Sequence, residues 1–125
     1  MKTVARIIEK HGGLEALKRR PIRVENPPYL PLVIEYLGNG PRGYPLVSVA
    51  HTYHQNGDTL YDPEMQFEVT ASKWLPVSYR QDNLGVRQEA VWVTHRQVQI
   101  VPRLVRDLSR FARTWDRNLR AQGFA

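Results

Sequence analysis

The chain has 125 residues, 42% of them hydrophobic and 24% charged, which suits one globular domain with a core of its own and excludes a disordered tail or a bundle of membrane spans. It contains no cysteine, so a disulfide framework, a thiolate nucleophile and cysteine zinc sites are excluded. Eighteen Lys and Arg against twelve Asp and Glu give +6 and favour polyanionic partners. The start, Met1 to Arg6, enters an amphipathic pattern without a signal-peptide apolar run, and a cytoplasmic location is expected.

Thr3 is placed to cap a short helix whose Val4, Ile7 and Ile8 form an apolar stripe, with Gly12-Gly13 as its stop. Leu14 to Lys18 reads as a further turn or two before Pro21, and Lys18-Arg19-Arg20 is a small basic run. Ile22 to Glu25 is a short extended piece. Asn26 to Pro31 holds three prolines, which remove backbone donors and exclude regular structure.

From Leu32 the apolar period changes to two. Leu32 to Leu37 is predicted as a strand, closed by the Gly- and Pro-rich loop Gly38 to Gly43. Leu46 to His54 is a second strand, ended by Gln55-Asn56-Gly57-Asp58, where Asn-Gly is a strong hairpin signal. Met65, Phe67 and Val69 alternate with polar residues, as do Leu75, Val77 and Tyr79. After a turn at Asn83-Leu84-Gly85, strands are expected at Ala90 to Thr94 and Gln97 to Val101.

Pro102 to Gln122 reads as one amphipathic helix. At about 100° per residue, Leu104, Leu108, Phe111, Trp115 and Leu119 share a face, with Val105 and Ala112 at its edge. Arg103, Arg106, Arg110, Arg113, Arg117 and Arg120 fall opposite. The expected fold is therefore a single α+β domain over residues 1–125: a five- or six-stranded antiparallel meander packed by the long C-terminal helix and a shorter N-terminal one.

The arginine row is the sharpest functional feature. Six arginines against Asp107 and Asp116 give a local +4, spread over about 25 Å at 1.5 Å per residue, a length comparable to several phosphate spacings. Two readings stand side by side. The arginines either snorkel over apolar surface and bond sheet carboxylates such as Glu68 or Glu89, or they meet nucleic acid or an acidic protein surface. No aromatic residue interleaves them, which argues against base stacking on this face.

A second candidate is a polar rim of Gln55, Asp58, Asp62, Glu64, Gln81 and Asp82. Its carboxylates, an acidic turn of Asp58, Asp62 and Glu64 with Asp82 nearby, motivate the alternative of a metal-dependent hydrolase or nuclease. Their spacing lacks the rhythm of a calcium loop, and acidic residues at turns also serve their own backbone. His51 and His54 are three apart on a strand and point to opposite faces, so they do not form a chelating pair, and His51 is expected to be buried and hydrogen-bonded. His11 and His95 fall at a helix end and in a loop. There is no serine elbow, phosphate-binding glycine loop or paired-histidine zinc helix. Nothing in the sequence argues for an enzyme, and no metal or other cofactor is implied.

The run His51-Thr52-Tyr53-His54-Gln55-Asn56-Gly57-Asp58, with Asp62-Pro63-Glu64-Met65, Phe67-Glu68, Tyr79 to Gly85 and Gln88-Glu89, resembles an uncharacterised bacterial domain family carried by conjugative plasmids and integrative mobile elements. A weaker echo surrounds Trp115 and Gln122-Gly123-Phe124. The resemblance implies a mobile-element setting, in which small cytoplasmic proteins act on host defence or DNA maintenance; it implies no residue roles. The expectation from the whole sequence is a non-enzymatic accessory protein that binds nucleic acid or an acidic protein, such as a host-defence complex, through its last helix. Homodimerisation through an exposed strand edge or helix is a further expectation, and no membrane is involved.

Overall fold

A computed structural model describes all residues 1–125. The chain is an α+β domain with one six-stranded antiparallel sheet, a separate two-stranded ribbon and three α-helices. The helices are α1 (Lys2–Lys10), α2 (Gly13–Arg19) and α3 (Pro102–Ala121). In the main sheet β1 (Ile22–Val24), β2 (Leu32–Asn39), β3 (Pro45–Gln55), β4 (Asp58–Val69), β5 (Trp74–Gln81) and β6 (Val86–Glu89) lie in chain order. The ribbon is β7 (Val91–Thr94) and β8 (Gln97–Ile100).

Strand register explains the alternation in the sequence. Ile22, Ile34, Val49, Met65 and Tyr79 stand side by side across β1 to β5, and all but Tyr79 are buried. One residue along, Glu35, Ser48, Gln66, Ser78 and Glu89 form the matching polar row on the other face. Side chains alternate across a strand, so this period-two pattern gives one core face and one polar face. The helices supply the other half of the core: Val4, Ile7 and Ile8 of α1, Leu17 of α2, and Leu108, Ala112, Trp115 and Leu119 of α3.

Four expectations need correction. The Asp58 to Glu64 segment is not a turn but the first half of β4, because the Asn56-Gly57 turn is tight and pairing with β3 resumes at Asp58. Val86–Glu89, unmarked by any apolar alternation, is the sixth strand and is held by the ladder that β5 offers. The last two strands pair with each other and not with the sheet. At fully buried Ala90 the chain changes partners: its N–H donates to the Val77 carbonyl, while its own carbonyl accepts from Val101. Finally, Thr3 does not cap α1, whose N-cap is Met1; Thr3 is buried and its N–H is bonded from α3.

The seating of α3 also differs from the periodicity reading. Ala112 is buried, whereas Phe111 is 38% exposed, so the inward face is turned by about 30° from the predicted one. A small alanine lets the helix approach the sheet. Phe111 is displaced to the flank, where its ring meets Tyr79 edge-to-face at 5.3 Å.

Candidate functional site

All six arginines of α3 are exposed. Their spacings of three and four residues keep them on one line, opposite Leu108, Ala112, Trp115 and Leu119. Their neutralisation is slight. Arg110 has a carboxylate at 3.9 Å, that of Asp107, and no other arginine of the row forms an ion pair. Arg117 reaches only the Thr114 hydroxyl at 3.4 Å.

The second acid of the helix is committed elsewhere. Asp116 turns toward α1, and its two oxygens accept the Thr3 N–H at 3.1 Å each, with the Val4 N–H at 3.4 Å from Oδ1. Free N–H groups at a helix start attract a carboxylate, so Asp116 acts as a cap supplied from 113 residues away. The sheet carboxylates do not reach the row either: Glu68 is engaged by other partners and Glu89 stands on the polar face of the sheet. Fully buried Glu68 accepts from Arg42 Nε at 2.9 Å, the Arg42 N–H at 2.9 Å and the Tyr44 N–H at 3.2 Å, and Glu89 has no ion pair. The expected bonding of the row to Glu68 or Glu89 does not occur.

The Asp116 contact brings α1 alongside α3. A shallow depression forms there, lined by Lys2, Arg110, Arg113, Thr114 and Arg117 around Asp116. Arg6 and Lys10 continue the exposed cations of α1 at four-residue intervals from Lys2. Residues 1–20 and 102–121 together hold twelve Lys and Arg against four Asp and Glu, a net +8; the rest of the chain holds six against eight, a net −2. The positive charge is thus concentrated in the helical segments. The α1 cations join the surface only through this packing, although their four-residue spacing is visible in the sequence.

The polar rim does not form one site. Gln55 and Asp58 face each other at the exposed tip of the β3–β4 hairpin. Asp62 lies within electrostatic reach of His51 and Tyr79, and Gln81 accepts the Tyr79 hydroxyl at 2.6 Å, next to α3. Glu64 instead accepts the Ser48 hydroxyl and sits opposite Arg80 on the polar face. Asp82 accepts Arg80 Nε at 2.7 Å and the Tyr61 N–H at 2.8 Å, while the Arg80 guanidinium lies 4.6 Å from the Tyr61 ring centre. The hydrogen bond from Arg80 holds the Asp82 carboxyl below its ordinary range against the opposing effect of burial. No three His, Asp or Glu side chains gather closely enough to hold a metal ion, so the carboxylates proposed for a hydrolase or nuclease do not converge.

His51 is partly buried as expected, with Nδ1–H donating to the Leu30 carbonyl at 3.0 Å and its ring between Trp115 and Phe124. Burial lowers its pKa, more than the carbonyls of Leu30 and Pro31 and the charge of Asp62 raise it. The neutral ring is a packing element that fastens the end of α3 to β3.

The family described as Domain of unknown function (DUF6908) matches residues 2–125. The chain belongs to this family. No curated protein and no solved structure matches it. The match spans the sheet, the ribbon and the helices, so in this DUF6908 protein the arginine row and its scaffold are parts of one domain. No helix is long and apolar enough to cross a membrane.

Proposed function

We propose that this DUF6908 protein binds nucleic acid through the phosphate backbone, using the exposed face of α3 and the adjacent cations of α1. The observation that carries the reading is the uncompensated row itself. Five successive arginine pairs stand three or four residues apart, a spacing at which like charges destabilise a helix by about 0.2–0.5 kcal/mol each. Arg103 also lies in the first helical turn, where the helix dipole disfavours a cation. A row that served only folding would pair its charges; this one keeps them available.

No aromatic shares the arginine face, since exposed Phe111 lies on the flank against Tyr79, so contacts would be to phosphate rather than to stacked bases, with little sequence preference. The resemblance to a family of conjugative plasmids and integrative elements gives a setting in which such an accessory activity is useful. We take the protein to be a mobile-element accessory factor without catalytic function. An acidic protein surface, including one on a host-defence complex, presents the same sign of charge and is the competing outcome.

The test is fluorescence anisotropy with labelled duplex DNA, single-stranded DNA and RNA across a salt series. Phosphate neutralisation requires the logarithm of affinity to fall linearly with the logarithm of salt, at about −0.9 per phosphate contacted on duplex DNA. Absence of binding to all three at low salt would overturn the nucleic-acid reading and favour an acidic protein partner.

A further inference from the structure

We infer that the outer edge of β8 pairs with β8 of a second copy, joining two β7–β8 ribbons into one four-stranded sheet with a two-fold axis at Gln99. A strand edge exposes unpaired N–H and C=O groups, and proteins shield such edges by shortness, charge, proline or bulges. The main sheet does so at both ends. Its β1 edge is three residues long with Arg23 at its centre, and its β6 edge carries Arg87 and Glu89. The β8 edge, Gln-Val-Gln-Ile, has no charge, no proline and no bulge.

The hairpin register decides which groups are free. His95 and Arg96, with φ of 50° and 62°, form the two-residue turn that closes on Thr94 and Gln97. Hydrogen-bonded pairs alternate from that closing pair, and the bond from the Val101 N–H to the Ala90 carbonyl fits the same phase. Gln97 and Gln99 therefore direct their backbone groups to β7, while Val98 and Ile100 direct theirs outward.

An antiparallel partner satisfies these groups when Val98 faces Ile100 of the second copy and Ile100 faces its Val98, which makes four main-chain hydrogen bonds. The same register continues the side-chain pattern. Val93 pairs with Val98, and Val91 with Ile100, within the ribbon. The dimer extends each pair into an apolar row of four residues. Val93, Val98 and Ile100 are 50%, 42% and 48% exposed, and Val101 beside them is 38% exposed, so side chains that water now reaches would pack against their own kind.

The self-complementary register selects a second copy, and local charge does not block its approach: the meeting stretch Gln97 to Pro102 is uncharged, and Arg96 and Arg103 lie outside it. Strands of four residues a side make a contact smaller than the roughly 800 Å² per partner of a standard interface, which points to a weak dimer rather than an obligate one. Each copy carries +6, so added salt should strengthen pairing, the opposite of its effect on nucleic-acid binding.

The absence of native cysteine gives a direct test. Two-fold-related Gln99 residues would be a non-hydrogen-bonded antiparallel pair, with Cα atoms about 4.5 Å apart, within disulfide range. Gln99→Cys should oxidise to a covalent dimer at least tenfold faster than Gln55→Cys, a control at the exposed β3–β4 tip. In parallel, light scattering of the wild type between 10 µM and 1 mM should show mass rising toward the dimer, and Ile100→Lys should remain monomeric with an unchanged circular dichroism spectrum. Equal oxidation rates for the two cysteine variants, or a wild-type monomer at 1 mM, would overturn the proposal.

Discussion

Reversal of Arg106, Arg113 and Arg117 to Glu separates binding from folding in this protein. All three side chains are exposed and none has an ion-pair partner, so their removal should leave stability within about 0.5 kcal/mol per site. The helix should even gain. Glu at 106 and 113 lies beside Arg103 and Arg110, and Glu at 117 beside Arg120, so four repulsive spacings become attractive and one, between 113 and 117, stays repulsive. If the row contacts about five phosphates, wild-type affinity for duplex DNA should fall roughly 500-fold between 50 and 200 mM salt, from a slope of about −4.5. Losing three contacts should reduce that slope to about −1.8, and the inserted carboxylates should lower affinity at 100 mM salt by more than about 100-fold. Anisotropy titrations at four salt concentrations measure both quantities, and a urea melt checks the fold. Affinity within about threefold of wild type, or an unchanged slope, would refute the assignment of the row to phosphate contact.

Three further outcomes follow from the packing. Asp116→Ala removes the cap on α1 and should cost about 1–2 kcal/mol in a urea melt while leaving nucleic-acid affinity equal or higher, the reverse of the arginine variant; a cost below 0.3 kcal/mol would reject the capping role. Glu68→Ala should cost about 3 kcal/mol, the low end for breaking a buried ion pair because Arg42 can turn to solvent, and Gly40→Ala should be destabilising too, since its Cβ would collide with Glu68 Cγ. Urea melts of both variants at wild-type stability would reject the buried carboxylate as the anchor of the Gly40 to Tyr44 loop. For His51, whose folded pKa lies below the ordinary 6.5, the unfolded chain takes up the proton first as pH falls. Wild-type stability relative to His51→Gln should therefore be constant above about pH 7 and decline as pH drops through 6.5 toward the folded value; parallel stability curves between pH 7.5 and 5 would contradict this.

Most of the fold was legible because its signals are local. The period of two in Met65, Phe67 and Val69, the Asn56-Gly57 turn and the three-and-four spacing of the α3 arginines depend only on near neighbours and on fixed helix and strand geometry. The α+β class and the exposed arginine face followed from these. β6 escaped notice because Val86–Glu89 has no apolar alternation and exists as a strand through its pairing with β5.

Spacing along the chain is enough to give α3 a core face and an arginine face and to set the strands in succession. Which charges remain free depends on contacts between distant segments. Asp116 and Glu68 looked available to the arginines, and both are taken by partners that linear spacing cannot reveal: the start of α1 and the loop after β2. The rim residues, read as neighbours because they fall at strand ends, are divided by the sheet, whose pleat sends Glu64 to the polar face while Gln81 joins Tyr79 beside α3. Periodicity fixes which face a side chain occupies within its own element; the element packed against that face determines whether its charge is spent or left for a partner.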